Sequence, residues 1–133
     1  MPGKLILLIE DDPFLSEIYS TKFKDAGFET ELARDSVFGI SKAKEKRPAL
    51  ILLDIVMPDM DGFELLKSIK KDAQIKDIPV VILSNLGEEE NVKKGLSLGA
   101  EAYYIKAHYT PTEVVAKVRE LLENQEPNLT AKL

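Results

Sequence analysis

The sequence predicts an α/β domain, a doubly wound five-stranded parallel sheet with five helices laid on its two faces. Three observations carry that expectation. Apolar runs of strand length recur at Leu5–Ile9, Leu50–Leu53 and Val80–Leu83 without polar alternation, as strands covered on both faces require. Helical patterns separate these runs, and parallel neighbours need such crossovers. The chain has 133 residues, enough for one core and too few for two.

Each element has a local reason. After the first strand, Asp12-Pro13 opens a helix as an N-cap acid followed by proline at the first helical position. That helix carries Leu15, Ile18, Tyr19 and Phe23 on one side and ends near Gly27. Glu29–Ala33 alternates more than the other strands and is placed toward a sheet edge. A second helix spans Ser36 to Glu45 and stops at Pro48, because the residue before proline avoids helical geometry. After Leu50–Leu53, a third helix begins at Asp61 with Glu64 at capping-box spacing, and it buries Phe63, Leu66 and Ile69. Lys70 and Lys71 suit its negative end.

A fourth helix follows Val80–Leu83, starting with Glu88, Glu89 and Glu90 and reaching Gly99. Its few large apolar residues predict a less firmly held element. Ala102–Ile105 is a second edge strand. Thr110-Pro111-Thr112-Glu113 is a capping box that starts the last helix, with Val114, Val118, Leu121 and Leu122 toward the core. The domain is read as residues 1–124, and 125–133 as a frayed tail.

Bulk properties narrow the function. A formal net charge of −5 argues against direct nucleic-acid binding, which rewards clustered Lys and Arg, and points to a protein or cation as partner. Without Cys there is neither disulfide nor thiol chemistry. The apolar run after Lys4 is too short for a signal peptide or membrane span, so a soluble, cytoplasmic protein is expected.

The chemistry lies at the strand ends, since the C-terminal ends of parallel strands share one edge. The first strand ends on Glu10-Asp11-Asp12, the third on Asp54, the fourth on Ser84 and the fifth on Lys106. One strand-end Asp is ordinarily a solvated loop residue, but several carboxylates in one pocket repel unless a cation, a raised pKa or a lysine relieves them. Oxygen-only ligands favour Mg²⁺. A carboxylate nucleophile beside a metal, a lysine and a hydroxyl suits phosphoryl transfer.

With these residues in place, the chain resembles the receiver domain of two-component response regulators from about Lys4 to Leu122. The likeness rests on Leu7-Leu8-Ile9-Glu10-Asp11-Asp12-Pro13, on the Asp54 block through Met57-Pro58 and Asp61-Gly62, on the Ser84 strand end, and on Gly99–Lys106. It implies a flavodoxin-like, CheY-like (βα)5 fold with strand order 2-1-3-4-5. It further implies that Asp54 is the phosphoacceptor, charged by the phosphohistidine of a sensor histidine kinase or by a phosphotransfer protein. Asp11 would be the direct Mg²⁺ ligand, Glu10 its partner acting through water, and the Val56 carbonyl a third protein ligand. Ser84 would be the hydroxyl that moves to the phosphoryl group, Lys106 the lysine that pairs with it, and Tyr103 the aromatic whose rotamer reports the change. Asp12 is open between N-cap and electrostatic roles. A downstream protein would bind the face of the fourth helix, fifth strand and fifth helix, with the oligomeric state undetermined. Such a domain assists its own phosphorylation and dephosphorylation without being an enzyme.

Two departures from the family pattern stand out. The family follows its lysine with proline through a cis bond, whereas Ala107 follows Lys106 here; a cis bond to Ala costs roughly 3–4 kcal/mol, so a trans bond is expected. Val56 and Leu86 occupy the two positions that flank the site. Neither side chain can hydrogen-bond a hydrolytic water, which predicts a long-lived phosphorylated state. His108 is the single histidine and reads as a solvated loop residue.

Three other functions fit the sequence less well. A flavin carrier needs a phosphate-friendly first loop, and Glu10-Asp11-Asp12 would repel phosphate. An aspartyl-phosphate phosphatase of the haloacid-dehalogenase kind would place its nucleophile after the first strand and carry a cap insertion. A receiver-like scaffold that does not use phosphorylation is the alternative reading, opposed by the intact acids, Ser84 and Lys106. With little sequence after the last helix, the chain is read as a stand-alone regulator or as a receiver from a longer protein.

Overall fold

The computed structural model describes residues 3–125. Its elements run β1 (Leu5–Ile9), α1 (Pro13–Asp25), β2 (Glu29–Ala33), α2 (Ser36–Lys46), β3 (Leu50–Leu53), α3 (Gly62–Lys71), β4 (Val80–Ser84), α4 (Glu89–Ser97), β5 (Ala102–Ile105), a 3-10 turn over Lys106–His108, and α5 (Pro111–Gln125). The five strands are parallel in the order β2-β1-β3-β4-β5. The two alternating strands do lie at the edges. Gln125 closes α5; the rest of the expected tail lies outside the described residues.

Side-chain alternation along the strands builds two cores. Leu7, Ile9, Ile51, Leu53 and Ile82 face α2 and α3 and meet Ala43, Phe63, Leu66 and Ile69. Ile6, Leu8, Leu50, Leu52, Val81 and Leu83 face α1 and α5 and meet Tyr19, Phe23, Val114 and Val118. The central strands are thus apolar on both faces, for which an unbroken Ile/Leu/Val run is the sequence signature.

The helix starts sort by cap chemistry. Asp12 caps α1, its Oδ1 accepting from the Phe14 amide at 2.9 Å and the Leu15 amide at 3.3 Å. The box at α5 is complete: Glu113 N–H donates to Thr110 Oγ1 at 3.1 Å and Thr110 N–H to Glu113 Oε1 at 2.8 Å. At α3 the expected box is corrected. Asp61 accepts from the Phe63 amide at 2.8 Å, while Glu64 turns outward to Lys67 at 3.2 Å; a charged partner one turn along on the exposed face draws it away from the cap. In α4 only Gly95 is buried, so that helix has little apolar anchorage.

Candidate functional site

Register brings the strand ends together. Ile9 lies level with Ala33 and Leu53, and the ladder runs one step further. Glu10 N–H donates to the Ala33 carbonyl and Asp54 N–H to the Ile9 carbonyl, both at 3.0 Å. Glu10 and Asp54 therefore leave β1 and β3 side by side. Ser84 pairs with Ile105, so Lys106 emerges one residue beyond, at the same edge. Glu10, Asp54 and Ser84 are 3, 7 and 0 % exposed.

Lys106 joins the two buried acids. Its Nζ donates to Glu10 Oε1 at 2.6 Å and to Asp54 Oδ2 at 3.0 Å. The other oxygens take backbone donors: Asp54 Oδ1 accepts from the Val56 amide at 3.1 Å, and Glu10 Oε2 from the Asp12 amide at 3.2 Å. Asp11 is exposed at the rim. Glu10, Asp11 and Asp54 each offer an oxygen, and these atoms lie within 4.8 Å of one another. Glu10, Asp11, Asp12, Leu15, Asp54, Val56, Ser84, Asn85 and Lys106 line one open cleft of about 340 Å³.

The charges explain the arrangement. Burial pushes the Glu10 carboxyl up to about 7, with the Asp54 charge adding to the rise and Lys106 opposing it. Burial pulls the Lys106 ammonium down, but the hydrogen bond to Glu10 and the charge of Asp54 outweigh it and leave it above its ordinary value. Two carboxylates served by one ammonium retain attraction for further positive charge. Hard oxygen donors at this spacing fit Mg²⁺, which takes one or two carboxylates and keeps several waters.

Around the acids, Ser84 Oγ accepts from the Leu86 amide at 3.2 Å, and the Ser84 hydroxyl lies within hydrogen-bonding reach of the Tyr103 hydroxyl. Tyr103 is half-buried on the α3 side, and its hydroxyl donates to the Leu86 carbonyl. Tyr104 points to the opposite core and meets Tyr109 edge-on, with ring centroids 5.2 Å apart. The Val56 side chain is 59 % exposed at the mouth of the cleft. Asp12 is accounted for as an N-cap. His108 is exposed, and the Lys106–Ala107 peptide is trans, like every peptide among the described residues.

Two features of the site were not legible in the sequence. Asn85 lines the cleft, yet one Asn after a strand carries no signal of its own. Asp59 binds Ser36, whose hydroxyl and amide donate to its Oδ2 at 2.6 and 3.0 Å. Those two residues are 23 apart, beyond the reach of any local pattern.

Comparison with known proteins agrees with this geometry. A family model described as the response regulator receiver domain matches residues 6–119. Among curated proteins, the chain is 36 % identical over 117 residues to the DNA-binding dual master transcriptional regulator RpaA of Synechocystis, covering 88 % of this chain and 48 % of RpaA. It is 34 % identical to the phosphate regulon transcriptional regulatory protein PhoB of Pseudomonas aeruginosa, covering 96 % of this chain and 55 % of PhoB. The chain thus spans about half the length of these relatives. Among solved structures, the receiver domain of the Francisella response regulator 1452 superposes with a TM-score of 0.85 at 30 % identity, covering 93 % of this chain and 100 % of that domain.

Proposed function

The chain belongs to the response regulator receiver domain family, a family of two-component signalling, and from that membership we propose that Asp54 is its phosphoacceptor. The carrying observation is the bridge from Lys106 Nζ to Glu10 and Asp54, beside the buried Ser84 hydroxyl. A negative acceptor held by one cation at a rim of further acids is arranged to take an anionic group only with added positive charge.

Asp11 and Asp54, the Val56 carbonyl and, through water, Glu10 would hold Mg²⁺. When bound, the ion supplies charge neutralisation between the acceptor and the incoming phosphoryl group. The rest belongs to the chain. An Asp54 oxygen attacks phosphorus as the P–N bond to the kinase phosphohistidine breaks, and the imidazole leaves with its electron pair. Lys106 shifts from the carboxylate to a phosphoryl oxygen. The Ser84 hydroxyl donates to another such oxygen, which draws the Ser84–Leu86 loop toward the site and disturbs the Tyr103 hydroxyl bonded to the Leu86 carbonyl. The outcome is a changed α4–β5–α5 face, the surface offered to a downstream protein.

The donor is a sensor histidine kinase or a phosphotransfer protein. The test is NMR of the amide resonances on adding Mg²⁺ with beryllofluoride to wild type and Asp54→Asn. Shifts at Ser84, Tyr103 and Lys106 in wild type alone are expected. Equal shifts in both proteins, or none in either, would rule Asp54 out as acceptor.

A further inference from the structure

The loop that leaves Asp54 is held at three points, and one of them lies outside the site. At its start, Val56 N–H donates to Asp54 Oδ1 at 3.1 Å. At its end, Val56 and Asp61 form an antiparallel bridge and Gly62 N–H donates to the Ile55 carbonyl at 2.9 Å. Between them, Asp59 Oδ2 accepts from both the amide and the hydroxyl of Ser36, the first residue of α2. Ser36 is only 4 % exposed, whereas Asp59 itself lies at the exposed surface of the loop.

The helix does not need Asp59 as its cap. Asp35 already fills that role, its Oδ1 accepting from the Phe38 amide at 2.9 Å. A first-turn amide has no acceptor within its own helix. Here it is spent on a residue of the loop that carries Val56. The hydrogen bonds from Ser36 also hold the Asp59 carboxyl below its ordinary value, so the link persists as a carboxylate contact.

We propose that Asp59 is a positioning residue: docked on the first turn of α2, it fixes the loop that presents the Val56 carbonyl to the cation, and so couples the order of α2 to metal binding. This rests on the assignment of the Asp54 site made above. A group that orients a metal ligand without touching the metal acts on affinity, and loss of such a partner typically weakens binding by about tenfold or more. Coupling is reciprocal. If Asp59 strengthens Mg²⁺ binding, Mg²⁺ must strengthen the Asp59–Ser36 link.

The experiment uses the full chain with Mg²⁺ alone, by calorimetric titration and by hydrogen exchange at the Ser36 and Phe38 amides. Asp59→Ala is expected to weaken Mg²⁺ about tenfold, and Ser36→Ala, which removes only the hydroxyl donor, to weaken it less. Asp35→Ala loosens the same helix end without releasing the loop, and it should bind Mg²⁺ as wild type does. In wild type, Mg²⁺ should slow exchange at Ser36, and in Asp59→Ala it should not. Wild-type affinity in Asp59→Ala, an equal loss in Asp35→Ala, or no effect of Mg²⁺ on Ser36 exchange in wild type would overturn the positioning role alone. Failure of the wild-type chain to bind Mg²⁺ would overturn the reading of the Asp54 site and this role with it.

Discussion

Lys106 decides the resting state of the site because, among the described residues, it is the only cation bonded to the two buried acids. Breaking a buried ion pair costs roughly 3–5 kcal/mol, and since this cleft is open on one side the loss in Lys106→Ala should fall at about 2–3 kcal/mol. Urea unfolding without divalent ions should show that loss, and Mg²⁺ should restore more stability to the variant than to wild type. Equal gains would mean that lysine and metal do not compete for the same charge. Val56 and Leu86 bear on the opposite end of the cycle. Neither can hydrogen-bond a water, so the phosphorylated form should decay slowly, and Val56→Asn should shorten its lifetime several-fold, followed by loss of acid-labile phosphate. An unchanged lifetime would remove this position from control of hydrolysis.

At the scale of elements, two glycines set how closely the moving parts approach. A Cβ on Gly62 would run into the Ile55 backbone, whereas one on Gly95 would lie 2.6 Å from Ile82 Cδ1 and 2.9 Å from Tyr103 Cδ2. Backbone cannot yield as a side chain can. Overpacking typically costs about 1–3 kcal/mol, so Gly62→Ala belongs at the top of that range or beyond and Gly95→Ala within it, as thermal unfolding should show. The reverse order would mean that the loop after β3 relaxes more readily than α4. Most elements are legible in the sequence, since Asp12-Pro13, Thr110-Pro111-Thr112-Glu113 and the unbroken strands act through neighbours in sequence. Glu64 departs from its sequence pattern for a related reason. The spacing offers a cap or a salt bridge one turn on, and only the placement of Lys67 chooses between them.

On the scale of the whole molecule, binding at the sheet edge should register as global stability. A ligand that binds only the folded chain stabilises it by about 2.7 kcal/mol at a hundred times its Kd. Mg²⁺ with beryllofluoride should therefore raise the thermal midpoint of wild type but not of Asp54→Asn; equal rises would place the ligand elsewhere. Among the described residues no helix is long and apolar enough to cross a membrane. The sequence by itself determined the strands, the caps of α1 and α5 and the residue types at each strand end, because these follow from side-chain period and from hydrogen bonds a few residues long. Only the tertiary structure decided which strand ends meet. The parallel register set Glu10 beside Asp54 and brought Lys106 across to both, and packing α2 against the loop after β3 joined Ser36 to Asp59. Those contacts span 23 to 96 residues, and such pairings are selected by the fold as a whole, not by any local preference of the chain.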